Sequence, residues 1–182
     1  MRHEETDLNI TGIISGHLDI GLNALGRINA KKTGDEIQKF NWTQIFSSPL
    51  KRCLETLELT LPKRIPDFIK RDELKERAMG DVEGLLKNAY TDLKQYQGID
   101  LLHSYNLKAN QGGESYSDVF DRLVPFIEEL FLQLLKGERI FICSHEAPIR
   151  IMLMIIQAIN QEVAIKQNIE SGARYYFKMS GN

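Results

Sequence analysis

The run Ile140-Phe141-Ile142-Cys143 constrains the fold more than any other stretch. It ends at Ser144-His145, and after Pro148 comes a second apolar stretch over residues 149–159. This order reads as a strand buried on both faces, a tight turn carrying the histidine, and a buried helix. A strand of that kind belongs in a parallel sheet covered by helices. In open α/β sheets ligands bind just beyond the carboxyl ends of the strands, so His145 falls where chemistry is done.

Other segments repeat the strand and helix alternation. Asn23 is a suitable N-cap for a helix over residues 23–40, in which Leu25, Ile28, Ile37 and Phe40 share a predicted inward face. Gly34 weakens its middle. Residues 44–47 form a short strand that ends in Ser48-Pro49, a helix-start signal. Leu50, Cys53, Leu54, Leu57 and Leu61 then recur at helical spacing, with Arg52 in the first turn. A helix start already attracts anions, and a guanidinium there adds a fork matched to phosphate.

An extended piece is predicted over residues 64–69 and an ordered, glycine-punctuated loop over 74–85. A helical insertion follows around residues 86–110, and His17, Arg77 and His103 read as surface residues. Ser115 and Asp118 have capping-box spacing ahead of a long helix. Residues 173–179 read as a final strand. Strands alternating with helices predict an α/β fold, a three-layer α/β/α sandwich on a mostly parallel central sheet, in one domain spanning residues 1–182.

Composition narrows the partners. Apolar residues make up 42% of the chain and charged ones 26%, which suits a globular domain. The net charge of −2 argues against a nucleic-acid coat or a polybasic membrane patch, so any anion site must be local. The cysteines, Cys53 and Cys143, have no metal or disulfide spacing, and no apolar run is long enough to span a bilayer. A cytoplasmic protein with no nucleic-acid and no membrane partner is expected. Nothing in the sequence specifies an oligomeric state.

The chain opens with Arg2-His3-x-Glu5-Thr6-x-x-Asn9. Further blocks are Ser47-Ser48-Pro49-Leu50-x-Arg52-x-x-x-Thr56, Leu74-x-Glu76-x-x-x-Gly80-x-x-Glu83-Gly84, Gly112-Gly113-Glu114-Ser115, and Ser144-His145 with Ile149-Arg150. In this order they resemble the histidine phosphatase superfamily, which has the phosphoglycerate mutase-like fold. The resemblance runs over nearly the whole chain.

That resemblance implies a phosphatase that hydrolyses a small phosphorylated metabolite through a phosphohistidine. His3 is the implied nucleophile and Glu76 the implied general acid. Arg2, Arg52 and a protonated His145 would surround the phosphoryl oxygens, with Asn9 as an uncharged donor. No metal and no cofactor is implied. The alternatives are a phosphoglycerate mutase-type phosphotransferase, disfavoured because such enzymes are longer, and a catalytically impaired module that binds phosphate ligands.

The chain departs from the family pattern in three places. Glu4 and Glu146 follow the two histidines where the family has glycine, and only Met1 stands where the family has its first strand. A carboxylate at 4 to 8 Å from a bound phosphate costs roughly 2 to 4 kcal/mol at an effective dielectric near 20. Both glutamates are therefore expected to point away from the site. A nucleophile so close to a terminus is expected to fray, and residues upstream of Met1 in the natural chain are the expected remedy.

Overall fold

The computed structural model describes residues 1–64 and 68–178, with the Arg64 side chain excepted. Among these, the sheet consists of β1 (Gln44–Ser47), β2 (Phe68–Lys70) and β3 (Ile140–Cys143) in the order β2-β1-β3, all parallel. Ile45 pairs with Phe68 on one side and with Phe141 on the other. The helices are α1 (Asp7–Thr11), α2 (Ala24–Ile37), α3 (Lys51–Thr60), α4 (Tyr116–Leu135), α5 (Glu146–Gln157) and α6 (Gln161–Ala164).

Strand alternation divides the core into two layers. Ile45, Phe141 and Cys143 pack with Ile37, Cys53, Leu57 and Leu61 of the α2–α3 face. Phe46 turns the other way, into a cluster with Val119, Leu123, Phe126, Ile127 and Ile151 of α4 and α5. Phe46 and Phe126 meet edge to face at 5.3 Å between ring centroids. The protein is thus a three-layer α/β/α sandwich. Among the described residues no helix is long and apolar enough to cross a membrane.

Helix α2 presents a different face from the predicted one. Leu25 and Ile28 are 52% and 51% exposed and Phe40 lies beyond the helix end, whereas Gly26, Ala30, Thr33, Gly34 and Ile37 are buried. Close approach explains the difference. A Cβ on Gly26 would lie 2.2 Å from the Glu5 carbonyl oxygen, and one on Gly34 would lie 2.8 Å from that of Thr60. The glycine that weakens helix propensity here lets α2 and α3 touch.

Helix α3 starts at Lys51, with Leu50 as N-cap and no side-chain cap, and Ser48 Oγ accepts from Leu50 N at 3.3 Å just ahead of the helix. Of the predicted extended piece, β2 begins at Phe68 and residues 65–67 lie outside the described set. The 86–110 segment contains short 3-10 turns at Tyr90–Asp92 and Lys94–Tyr96 rather than α-helices. It closes over its own apolar cluster of Ile14, Met79, Val82, Tyr90, Tyr96 and Leu101. Residues 173–178 form no strand, and Met179 lies outside the described set.

The chain start is tied down on two sides. A parallel bridge joins Arg2 to Ser144, and the flanking bonds run from the Met1 amine to Ile142 O, from Ser144 N to Met1 O and from His3 N to Ser144 O, at 2.8 to 3.0 Å. On the other side Arg2 N donates to Ala173 O and Gly172 N to His3 O. His3 is hydrogen-bonded through its backbone to two segments, which hold this stub against the expected fraying.

Candidate active site

The carboxyl ends of the sheet open into a cleft of about 390 Å³, lined among others by Arg2, His3, Asn9, Arg52, Glu76 and Glu146. The stub beside β3 delivers Arg2 and His3, and α3 delivers Arg52. The 74–85 loop supplies Glu76, and α5 supplies Glu146. Residues from opposite ends of the sequence therefore meet at the place where an open α/β sheet binds ligands.

His3 is 2% exposed, and its Nδ1 lies 2.7 Å from the Glu4 carbonyl oxygen. A carbonyl only accepts, so Nδ1 carries the proton and Nε2 keeps a free lone pair. Burial, with Arg52 and then Arg2 beside it, holds His3 well below the usual imidazole value. The ring is neutral and its tautomer is fixed, the form a nucleophile needs.

His145 is arranged differently from the expectation. It is fully buried, with its ring centroid 5.1 Å from that of His3. Arg52 Nε–H donates to its Nδ1 at 3.2 Å, and Nε2 lies 2.7 Å from Ser48 Oγ. An arginine cannot accept, so Nδ1 is bare and Nε2 holds the hydrogen that reaches Ser48. Burial, then Arg52 and His3, keep the ring well below the usual histidine value. In this structure His145 is a neutral ring that orients Arg52, not a charged wall of the cleft.

Arg52 is further fixed by Nη1 donating to Leu18 O at 2.8 Å and Nη2 to Gly16 O at 2.9 Å. Asn9 sits in a capping box at the start of α1, where its Oδ1 accepts from Thr6 N and Thr6 Oγ1. That use of the oxygen leaves the Nδ2 hydrogens for the cleft. Arg2 donates through Nη1 to Ile169 O, while its Nε is buried without a partner.

Glu76 caps α5 from outside the helix. Its Oε1 accepts from Arg77 N at 2.9 Å and Ala147 N at 3.0 Å, and its Oε2 accepts from Glu146 N at 3.1 Å. A helix N-terminus with free amides and a positive dipole end is a suitable seat for a carboxylate. Arg122 holds the surrounding loop from α4: it donates to the carbonyls of Glu73, Lys75 and Glu76 and pairs with Glu114 at 2.8 Å. Glu114 in turn accepts from Ala78 N, so the Gly112-Gly113-Glu114-Ser115 block positions the loop that carries Glu76. Arg122 carried no sequence signal beyond its place on a helix, because its partners are carbonyls distant along the chain.

The two glutamates divide. Glu4 faces away from the cleft, with Oε1 accepting from Thr33 Oγ1 at 3.1 Å, and burial pushes its carboxyl up. Glu146 remains in the cleft wall, contrary to expectation. Its carboxylate pairs with Arg2 Nη1 at 3.4 Å and Arg150 Nη2 at 2.6 Å, which offsets the charge. Arg77 is not a surface residue: it is 4% exposed, lies over the Tyr116 ring at 4.3 Å and donates to Leu101 O and Leu102 O. His17 and His103 are exposed, as predicted, although His17 Nε2 donates to Glu76 O at 2.8 Å and His103 stands at the cleft rim.

Comparison with known proteins identifies the family. The family profile described as the histidine phosphatase superfamily (branch 1) matches residues 1–180. The chain is 29% identical to a 2,3-bisphosphoglycerate-dependent phosphoglycerate mutase of Parvibaculum lavamentivorans, over 98% of this chain and 88% of that one. It is 31% identical to the uncharacterized phosphatase PhoE of Bacillus subtilis, over 90% and 78%. Among solved structures, the α-ribazole phosphatase of Shigella flexneri superposes with a TM-score of 0.82 at 22% identity, covering 94% of this chain and 85% of that one. The mutase-named relatives are matched over most of their own length, so the length argument against that activity does not hold. The chain belongs to the histidine phosphatase superfamily.

Proposed function

We propose that the protein is a phosphoric monoester hydrolase acting on a small phosphorylated metabolite through a phosphohistidine on His3. One observation carries the reading: His3 is buried, neutral and fixed by the Glu4 carbonyl, with its Nε2 lone pair free beside arginines and a carboxylate. In the first step Nε2 attacks phosphorus, the bond to the leaving oxygen breaks, and Glu76, which enters the step protonated and leaves it as the carboxylate, gives that oxygen its proton. In the second, Glu76 takes a proton from water, the resulting hydroxide displaces His3, and inorganic phosphate leaves. Arg2, Arg52 and Asn9 hold the equatorial oxygens, where donors of this kind are worth roughly 3 to 4 kcal/mol each.

Hydrolysis is preferred over mutase chemistry because the Glu146 carboxylate borders the cleft in which a mutase must hold a second anionic group of its substrate, while Arg77 and the exposed Lys87 in the same wall favour the phosphotransferase reading. The names of the curated relatives support the competing phosphotransferase reading. Hydrolysis of p-nitrophenyl phosphate by wild type, His3→Ala and Glu76→Gln tests the proposal. Wild-type turnover that both variants abolish or reduce at least 10²-fold supports it. Interconversion of phosphoglycerates that requires added 2,3-bisphosphoglycerate supports the mutase, and no turnover of either kind supports an impaired binding module.

A further inference from the structure

Glu146 touches more of the machinery than its place in a helix first turn suggests. Its amide donates to Glu76 Oε2, its Oε2 faces Arg2 Nη1 and its Oε1 faces Arg150 Nη2. The side chain is 20% exposed, and the cleft is the space it borders. Arg150 cannot turn to serve a ligand without breaking its bonds to Gln167 O at 2.7 Å and Tyr116 Oη at 2.5 Å. The carboxylate is thus a fixed negative group beside the arginine that meets the transferred phosphoryl group.

We infer that Glu146 selects the leaving group: it disfavours substrates with a second anion near the phosphate and favours those offering a hydroxyl there. This rests on the phosphatase reading of the same cleft. A hydroxyl donates to the carboxylate, whereas a substrate carboxylate is repelled by it. At 6 to 8 Å and an effective dielectric near 20, two like charges would differ by well over tenfold in affinity; pairing of Glu146 with Arg2 and Arg150, together with its partial exposure, reduces this to about tenfold. The preferred substrates are phosphate esters of neutral polyols, sugars or nucleosides. Esters of hydroxy acids are disfavoured. Arg77 and the exposed Lys87, also in the cleft wall, pull the other way, so the sign of the preference is diagnostic.

Glycerol 3-phosphate and 3-phosphoglycerate form a matched pair that differs in one end group, a hydroxymethyl against a carboxylate. Their binding is measured by calorimetry on the full chain in a His3→Ala background, which prevents turnover. Glycerol 3-phosphate binding about tenfold tighter is the expected result. In Glu146→Gln, which keeps the amide bond to Glu76, the ratio falls to within twofold. In Glu146→Asp, which keeps the charge, most of the ratio remains. Equal or tighter binding of 3-phosphoglycerate in the parent, or a ratio that Glu146→Gln leaves unchanged, overturns the inference. The preference surviving in a protein whose wild type hydrolyses no phosphomonoester would uphold the inference and overturn the hydrolase reading. Failure to bind either ligand would overturn both.

Discussion

Arg122→Met removes a clamp that reaches the Glu76 loop without touching the cleft. The lost donors serve the carbonyls of Glu73, Lys75 and Glu76 and the carboxylate of Glu114, at a site where Arg122 and Glu114 side chains are 20% and 21% exposed. Hydrogen bonds to a charged group contribute about 1.5 to 3 kcal/mol each, but partial exposure lets water replace some of them, and methionine retains the packing. The net loss of stability is about 2 to 4 kcal/mol. The loop relaxes, and Glu76 moves relative to the leaving oxygen. A displacement of about 1 Å costs on the order of 10²-fold in rate. The proposed phosphate donors Arg2, Asn9 and Arg52 stand on other segments, so affinity for vanadate, a phosphate mimic, changes less than threefold. The assays are urea unfolding, kcat with p-nitrophenyl phosphate, and vanadate inhibition. Unchanged stability together with unchanged kcat, or a vanadate affinity that falls as far as kcat, would refute the clamp.

Other outcomes follow from burial and close approach. His3 and His145 are neutral when folded and titrate near the ordinary value of about 6.5 when unfolded, so below that pH the unfolded chain binds more protons. Stability is fully present above about pH 6.5 and falls on acidification by up to about 1.4 kcal/mol per pH unit for each ring, until the depressed folded values are reached. Urea midpoints from pH 7.5 to 5.5 check this, and a flat profile contradicts it. Gly26→Ala forces a methyl against the Glu5 backbone and should cost about 2 to 4 kcal/mol in the same unfolding assay; a loss below 0.5 kcal/mol would show that α2 can move aside. Glu4→Gln removes a carboxylate that burial disfavours and keeps an acceptor for Thr33. It should raise stability above about pH 5 and leave vanadate affinity within twofold; a larger change in affinity would place Glu4 in the cleft.

The parallel order, the His145 turn and the meeting of His3, Arg52 and Glu76 could be read from the chain, because short apolar runs and motif order are local signals. The inward face of α2 could not. Periodicity counts large apolar side chains, and this helix buries its small ones, Gly26, Ala30 and Gly34, at close contacts. Residues 173–178 have strand-like composition, yet their backbone meets the N-terminal stub through a single bond, from Arg2 N to Ala173 O, and a strand needs a ladder. The burial of Arg77 and the contact of Glu146 with Arg2 are not legible for a shared reason: the partners, the carbonyls of Leu101 and Leu102, the Tyr116 ring and Arg2, are brought near only by the fold, whereas the Glu146–Arg150 pair is a local helix spacing.

The central claim is covalent and can be tested at one atom. Wild-type protein is mixed with a rapidly hydrolysed phosphomonoester, quenched in alkali and examined by phosphorus NMR and peptide mapping. The account predicts phosphate bonded to Nε2 of His3, stable to alkali, released by acid and missing from His3→Ala. Phosphate on Nδ1, on another residue, or still incorporated by His3→Ala would contradict it.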